Sequence, residues 1–142
     1  GSNSFVNDKS RRFDLKVLDA QLPKNANYVV LQKDLSPDEP TFIDSFDNIV
    51  APGEKLETFS DTAAICKHLD NVITVDTSVA HLSAAIGTPT SVLLAYRPDW
   101  RWGAEGETTR WYPSVKLMRQ TRYGGWERAL GTWHMNCLQD CT

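Results

Sequence analysis

Residues 72–94, VITVDTSVAHLSAAIGTPTSVLL, set a strand, a helix and a second strand in immediate succession, and no other stretch restricts the fold as tightly. Val72, Ile73, Thr74 and Val75 are β-branched and make the short apolar run of a buried strand, which Asp76 ends. Thr77 and Ser78 are both favoured N-caps, Val79, Leu82 and Ile86 fall on one helical face, and Gly87 with Pro89 supplies the stop signal. Thr90 to Leu94 reads as the next buried strand. Two strands joined through a helix over about 25 residues form a right-handed βαβ crossover in a parallel sheet. The expected class is therefore α/β: a Rossmann-like three-layer domain with a mostly parallel sheet.

In open parallel sheets ligands bind at the carboxyl ends of the strands. Here that edge gathers Asp76, Thr77, Ser78 and the first-turn amides of Val79 and Ala80. Free amides and the helix dipole favour an anion, and hydroxyls bond phosphate oxygens without adding repulsion. His81, one turn in, can donate to the same group. Asp76 would repel a phosphate, so its expected work is to accept from backbone amides or a ribose hydroxyl and hold the turn. Taken alone, these residue types also open helices and fill packing sites that bind nothing.

The remaining pattern continues the alternation of helix and strand. Leu15, Leu18 and Leu22 predict a first helix ending near Pro23, and Tyr28 to Leu31 a strand whose carboxyl end presents Gln32, Lys33 and Asp34 to a base or ribose. A short helix is expected within Pro37–Phe46, a brief strand at Ile49–Val50, and a helix capped by Ser60 or Asp61 that carries Ala64, Ile65, Cys66 and Leu69. Residues 96–112, YRPDWRWGAEGETTRWY, then interrupt the alternation after the carboxyl end of a strand, where long loops are usually functional. Asp99 can accept from sugar hydroxyls, Arg101 can pair a phosphate, and Trp100 or Trp102 can stack on a base or sugar face. The competing expectation is that one of these indoles packs into the core beneath the loop. Trp111, Tyr112 and Pro113 read as packing before a last strand, Val115–Met118.

A net charge of −3 offers no broad footprint for nucleic acid, and no apolar run is long enough for a membrane span. No secretory signal is visible, so a cytoplasmic location is expected. Three cysteines do not make a disulfide framework: Cys66 belongs to an apolar helix face, leaving Cys137 and Cys141. His134, Cys137, Asp140 and Cys141 lack the spacing of a zinc site, and no Gly-x-Gly-x-x-Gly opens a helix to bind a dinucleotide.

The string DTSVAHLSAAIGTP resembles the donor-site signature of the heptosyltransferase-like glycosyltransferases of family 9, whose common form is Asp-Thr-Gly, two variable residues, His-Leu. The resemblance extends to LQKD at 31–34, SDTAAICKHLDNVITVDTSVAHL at 60–82, PDWRW at 98–102 and WYPSVKLMRQ at 111–120. It is to the version that follows tetratricopeptide repeats in bacterial proteins, and it covers about residues 7–130. Ser78 stands where the commoner heptosyltransferase form has glycine.

That resemblance implies one half of a two-domain GT-B enzyme, since 142 residues suit a single compact domain. Residues 1–134 would be the nucleotide-sugar-binding domain and residues 135–142 a C-terminal tail. The family's first apolar strand has no counterpart in Gly1–Phe5 and is expected to be missing. The basic segment NDKSRR at 7–12 is similar to the family loop that closes over the donor pyrophosphate. Lys9 would be its phosphate contact, with Arg11 or Arg12 adding a bidentate one. No catalytic residue is assigned, because the acceptor site and general base of the family belong to the other half. Protein cations and amides can offset a departing diphosphate, and no Asp-x-Asp pair is present, so no metal or cofactor is expected. The partners implied are a nucleotide diphosphate sugar and a second glycosyltransferase half. The alternative is a non-catalytic nucleotide- or protein-binding module that self-associates as a homo-oligomer through an incomplete sheet edge.

Overall fold

The computed structural model describes residues 20, 22–32, 35, 37–121 and 126–131. Strands β3 (Val72–Val75), β4 (Thr90–Leu94) and β5 (Val115–Arg119) form a three-stranded parallel sheet in that order. Val72 stands opposite Thr90, and Thr90 opposite Val115. β1 (Tyr28–Val29) and β2 (Ile49–Val50) make a separate parallel pair, shorter than the expected run to Leu31, although the Val30 amide still donates to Val50 O at 2.8 Å. Between the sheets' strands lie α1 (Glu39–Asp44), a 3₁₀ turn (Gly53–Lys55), α2 (Phe59–Cys66) and α3 (Ser78–Ala85).

Alternation along the strands explains the layers. Central β4 is buried at every residue, as a strand flanked on both sides and covered on both faces must be. Val92 and Leu94 pack with Val115 and Leu117 on one face, against Ala80 and Ala84 of α3 and the indole of Trp102. Leu93 and Met118 point the other way, into a cluster with Leu22, Trp126, Ala129 and Leu130, joined by half-buried Tyr28, Ile73 and Val75. Helical residues 126–131 thus cover the second face. The arrangement is α/β and Rossmann-like, with parallel strands in two sheets. Leu93, Leu94, Leu117 and Leu130 are almost wholly removed from water, each contributing about 2 kcal/mol.

Two helices differ from the sequence expectation in instructive ways. In α3 the face turned to the core is Ala80, Ser83 and Ala84, while Val79, Leu82 and Ile86 are half-buried. Small side chains let the helix lie close on the sheet. Close packing buries the Ser83 hydroxyl, 2.9 Å from Thr90 Oγ1. In α2 the cap is Thr58 rather than Ser60 or Asp61. The Thr58 hydroxyl accepts from the Asp61 amide at 3.2 Å while the Asp61 carboxylate accepts from the Thr58 amide at 2.8 Å. This reciprocal pair is a capping box with Asp in place of Glu.

The stop signal of α3 works as expected. Gly87, at φ +83°, ends the helix: its amide donates to Ala84 O at 3.1 Å and that of Thr88 to Ser83 O at 3.1 Å, a Schellman motif. The first predicted helix lies mostly outside the described residues, as do residues 1–5, on which the expectation about a first strand falls, and the tail at 135–142. Among the described residues no helix is long and apolar enough to cross a membrane.

Candidate functional site at the carboxyl edge

The parallel direction of β3, β4 and β5 brings three chain segments to one edge: the β3–α3 turn, the loop after β4, and the end of β5. In the turn, Thr77 is the N-cap of α3, with extended backbone, but its hydroxyl makes no capping bond. It lies 3.3 Å from Thr74 Oγ1 instead. The Ala80 amide, expected to be free, is used by Thr77 O at 3.1 Å. Ser78 is exposed and Val79 half-buried at the opening of the helix, where the chain has no carbonyls of its own to offer their amides.

Asp76 and His81 belong to one brace. His81 Nε2 is 3.7 Å from Asp76 Oδ1, and its Nδ1 is 3.3 Å from the Tyr112 hydroxyl. The imidazole also stacks on Trp102, ring centres 5.1 Å apart and planes 21° from parallel. Tyr112 meets Nδ1 within hydrogen-bond distance, while Asp76 lies opposite Nε2 at ion-pair rather than hydrogen-bond distance. One ring nitrogen is thus engaged by Tyr112 and the other faces the Asp76 carboxylate, and the His81 side chain remains 31% exposed. Asp76 itself is largely covered, with 13% of its side chain exposed.

The loop after β4 contributes the cationic side. Asp99 caps the 3₁₀ turn Trp100–Trp102, accepting from the Arg101 amide at 3.0 Å. It also takes the Arg101 guanidinium in two bonds, Nε at 3.0 Å and Nη2 at 3.3 Å. This hydrogen-bonded carboxylate, and then its charge, hold the guanidinium above its ordinary range. Asp76 and Tyr112 add to the effect at longer range, which places Arg101 in the field of the turn. Asp99 and Arg101 are thus one neutralised unit at the edge.

Trp102 is 2% exposed and Trp100 80% exposed, so of these two indoles Trp102 is the one that packs beneath the loop. Trp111, expected as packing, is 59% exposed, because Tyr112 takes the inward position instead.

Arg119, at the end of β5, was not singled out by the sequence and organises the loop. Its guanidinium donates to four carbonyls: Trp102 at 2.7 Å, Gly106 at 2.8 Å, Gly103 at 3.1 Å and Glu105 at 3.3 Å. Partial burial lowers its pKa, an effect that Glu105 opposes. Gly103 turns through φ +72°, a conformation that side chains rarely adopt. Beside it, Gln120 is 5% exposed and accepts from the Tyr96 amide at 3.0 Å through Oε1. Gln120 Nε2 and Trp102 Nε1 are buried donors with no hydrogen-bond partner among the described residues.

The other predicted residues divide plainly. Gln32 is exposed and follows β1, which belongs to the two-stranded pair. Lys9, Arg11 and Lys33 lie outside the described residues, as do His134, Cys137, Asp140 and Cys141. The edge therefore gathers Asp76, Thr77, Ser78, Val79, His81, Asp99 and Arg101, and adds Trp102, Tyr112, Arg119 and Gln120. The string WYPSVKLMRQ contains the last three, but hydropathy gives no hint that an arginine ending a buried strand will turn back onto a loop.

No protein-family model matches the chain, and no solved structure matches it. Protein FlbA of Caulobacter vibrioides is similar, at 37% identity over 71 residues. That match takes in 50% of this chain and 12% of FlbA, so the chain spans a small fraction of that relative's length.

Proposed function

We propose that this domain binds a nucleotide diphosphate sugar as the donor half of a glycosyltransferase, with the diphosphate against the β3–α3 turn. The observation that carries the reading is the N-terminus of α3. Its cap residue makes no side-chain cap bond, which leaves the Ser78 and Val79 amides without a cap at the carboxyl edge of a parallel sheet, where the helix dipole favours an anion. Arg101, held by Asp99, offers guanidinium donors at the same edge rather than net charge. Gln120 Nε2 and Trp102 Nε1 are buried donors that a ligand rich in acceptors would satisfy, offsetting about 1–3 kcal/mol each. The resemblance of the 76–89 string to a glycosyltransferase donor signature supplies the ligand class. Metal is not required by this reading, and a second half would bring the acceptor.

Thermal-shift and calorimetric titration with ADP, UDP, GDP, CDP and their sugar conjugates, with and without magnesium, test the proposal. Stabilisation by one nucleotide diphosphate without metal, abolished by Ser78→Glu, is the expected result, since only native-state binding raises the melting temperature. A cooperatively melting protein that ignores every nucleotide at millimolar concentration rules it out.

One observation favours a second reading, a self-associating module. Among the described strands β3 is an edge, with no neighbour on its outer side. A strict monomer by light scattering at high concentration would remove that reading without touching the first.

A further inference from the structure

The His81 ring stands where three segments of the carboxyl edge meet. Carried by α3, it faces the β3–α3 turn at Asp76, the 96–112 loop at Trp102, and the approach to β5 at Tyr112. Asp76 Oδ1 is 3.7 Å from Nε2 and the Tyr112 hydroxyl 3.3 Å from Nδ1. The Trp102 ring is centred 5.1 Å away and tilted by only 21°. At 31% exposure the imidazole can exchange protons with water, and histidine is the side chain that changes charge near neutral pH.

Each of the three neighbours favours a proton on this ring. An imidazolium has an N–H on both sides: Nδ1 donates to the Tyr112 oxygen, and Nε2 draws the Asp76 carboxylate across a gap too long for a hydrogen bond at present. Its charge also lies over the face of Trp102, within reach of a cation–π attraction. A neutral ring has one N–H and no charge to offer either Asp76 or the indole. Arg101 is the opposing cation. It shares the field of Asp76 and Tyr112, but two bonds from its guanidinium to Asp99 offset its charge. The other elements packed on α3 leave this balance unchanged. β4 turns Thr90, Val92 and Leu94 toward the helix, and the titratable side chains of α2 are Asp61, held in its capping box, and buried Cys66.

We propose that His81 is a proton-operated catch between the β3–α3 turn and the 96–112 loop, closed when the charged imidazole bridges Asp76, Tyr112 and Trp102 and released when the ring is neutral. Closing it seats Trp102 and offsets the Asp76 carboxylate at the mouth of α3. The catch works in the free protein and does not rest on nucleotide binding.

Trp102 supplies the readout. Its Nε1 is buried and has no hydrogen-bond partner among the described residues, so exchange of that N–H with deuterium reports how firmly the loop is seated. In the intact, ligand-free chain the Trp102 indole resonance, one of five, should move in a single step between about pH 5 and 8. The step should persist in His68→Gln and His134→Gln and vanish in His81→Gln. At about pH 5.5 the Trp102 N–H should exchange about tenfold more slowly in the parent than in His81→Gln, as expected for one charge-assisted contact, and at about pH 8 the two rates should agree. Should His81→Gln fail to fold, Asp76→Asn, which keeps the carboxylate's shape without its charge, gives the same comparison and should lose most of the acid-side slowing. A parent resonance that does not titrate overturns the proposal. So does an exchange difference of equal size at both pH values, which would make His81 a packing residue alone.

Discussion

Arg119 and Cys66 are single side chains whose surroundings give them measurable behaviour. Replacing Arg119 with Met keeps the stem but removes the donors to four carbonyls, and the expected cost is about 2 kcal/mol, since bonds to a charged group are stronger than neutral ones. Urea unfolding measures it, and an unchanged midpoint would show the clamp to be dispensable. Lys at the same position, a point charge without the planar fork, should recover only part of the loss. Cys66 is fully buried, and burial pushes its thiol above the ordinary value of 9.0. Because the folded state resists ionisation, the thiol's contribution is fully present below the unfolded value and is lost as pH rises through the folded one. In a Cys137→Ser, Cys141→Ser background, a thiol reagent should react no faster than the protein opens, and immediate reaction would contradict the burial. The inward position of Cys66 was readable from helical periodicity. The role of Arg119 was not, because its partners are main-chain carbonyls and no side-chain pattern marks them.

At the scale of the element, caps and packing faces decide. Thr58→Ala removes the α2 cap and should cost about 1 kcal/mol, read from thermal unfolding. The Asp61 carboxyl is held below its ordinary value of 3.8, first by the Thr58 amide and then by the Thr58 hydroxyl. A depressed folded-state value means that this support exists above the unfolded value and disappears as pH falls through the lower, folded one. Asp61→Asn should therefore flatten the acid side of the stability profile, and a profile identical to the parent's would refute the link. In α3, Ala84→Leu forces a large side chain between helix and sheet and should destabilise by about 1–3 kcal/mol, more than Leu82→Ala on the half-buried side. Equal effects would mean that the helix is free to re-seat. The extent of α3 was legible because its caps are local signals. Its buried face was not: hydropathy favours Val79, Leu82 and Ile86, whereas distance to the sheet favours alanine and serine.

Across the whole molecule, the βαβ core was legible because β-branched runs, cap residues and a stop glycine all agreed over residues 72–94. The loop of residues 96–112 was legible only as a departure from that rhythm. Which of its tryptophans goes inward depends on the 3₁₀ turn at Trp100–Trp102 and on the three-dimensional position of His81, neither of which is encoded in residue type. The turn residues and the loop residues meet only because parallel strands deliver their ends to one edge. Arg119 draws its contacts from the loop's peptide groups rather than from its side chains, so, with Trp102 buried and Gly103 and Gly106 at positive φ, the shape of residues 102–106 does not depend on the side chains at 104 and 105. Ala104 and Glu105 can therefore be exchanged, and recognition at this rim can diverge between related chains while the scaffold beneath remains unaltered.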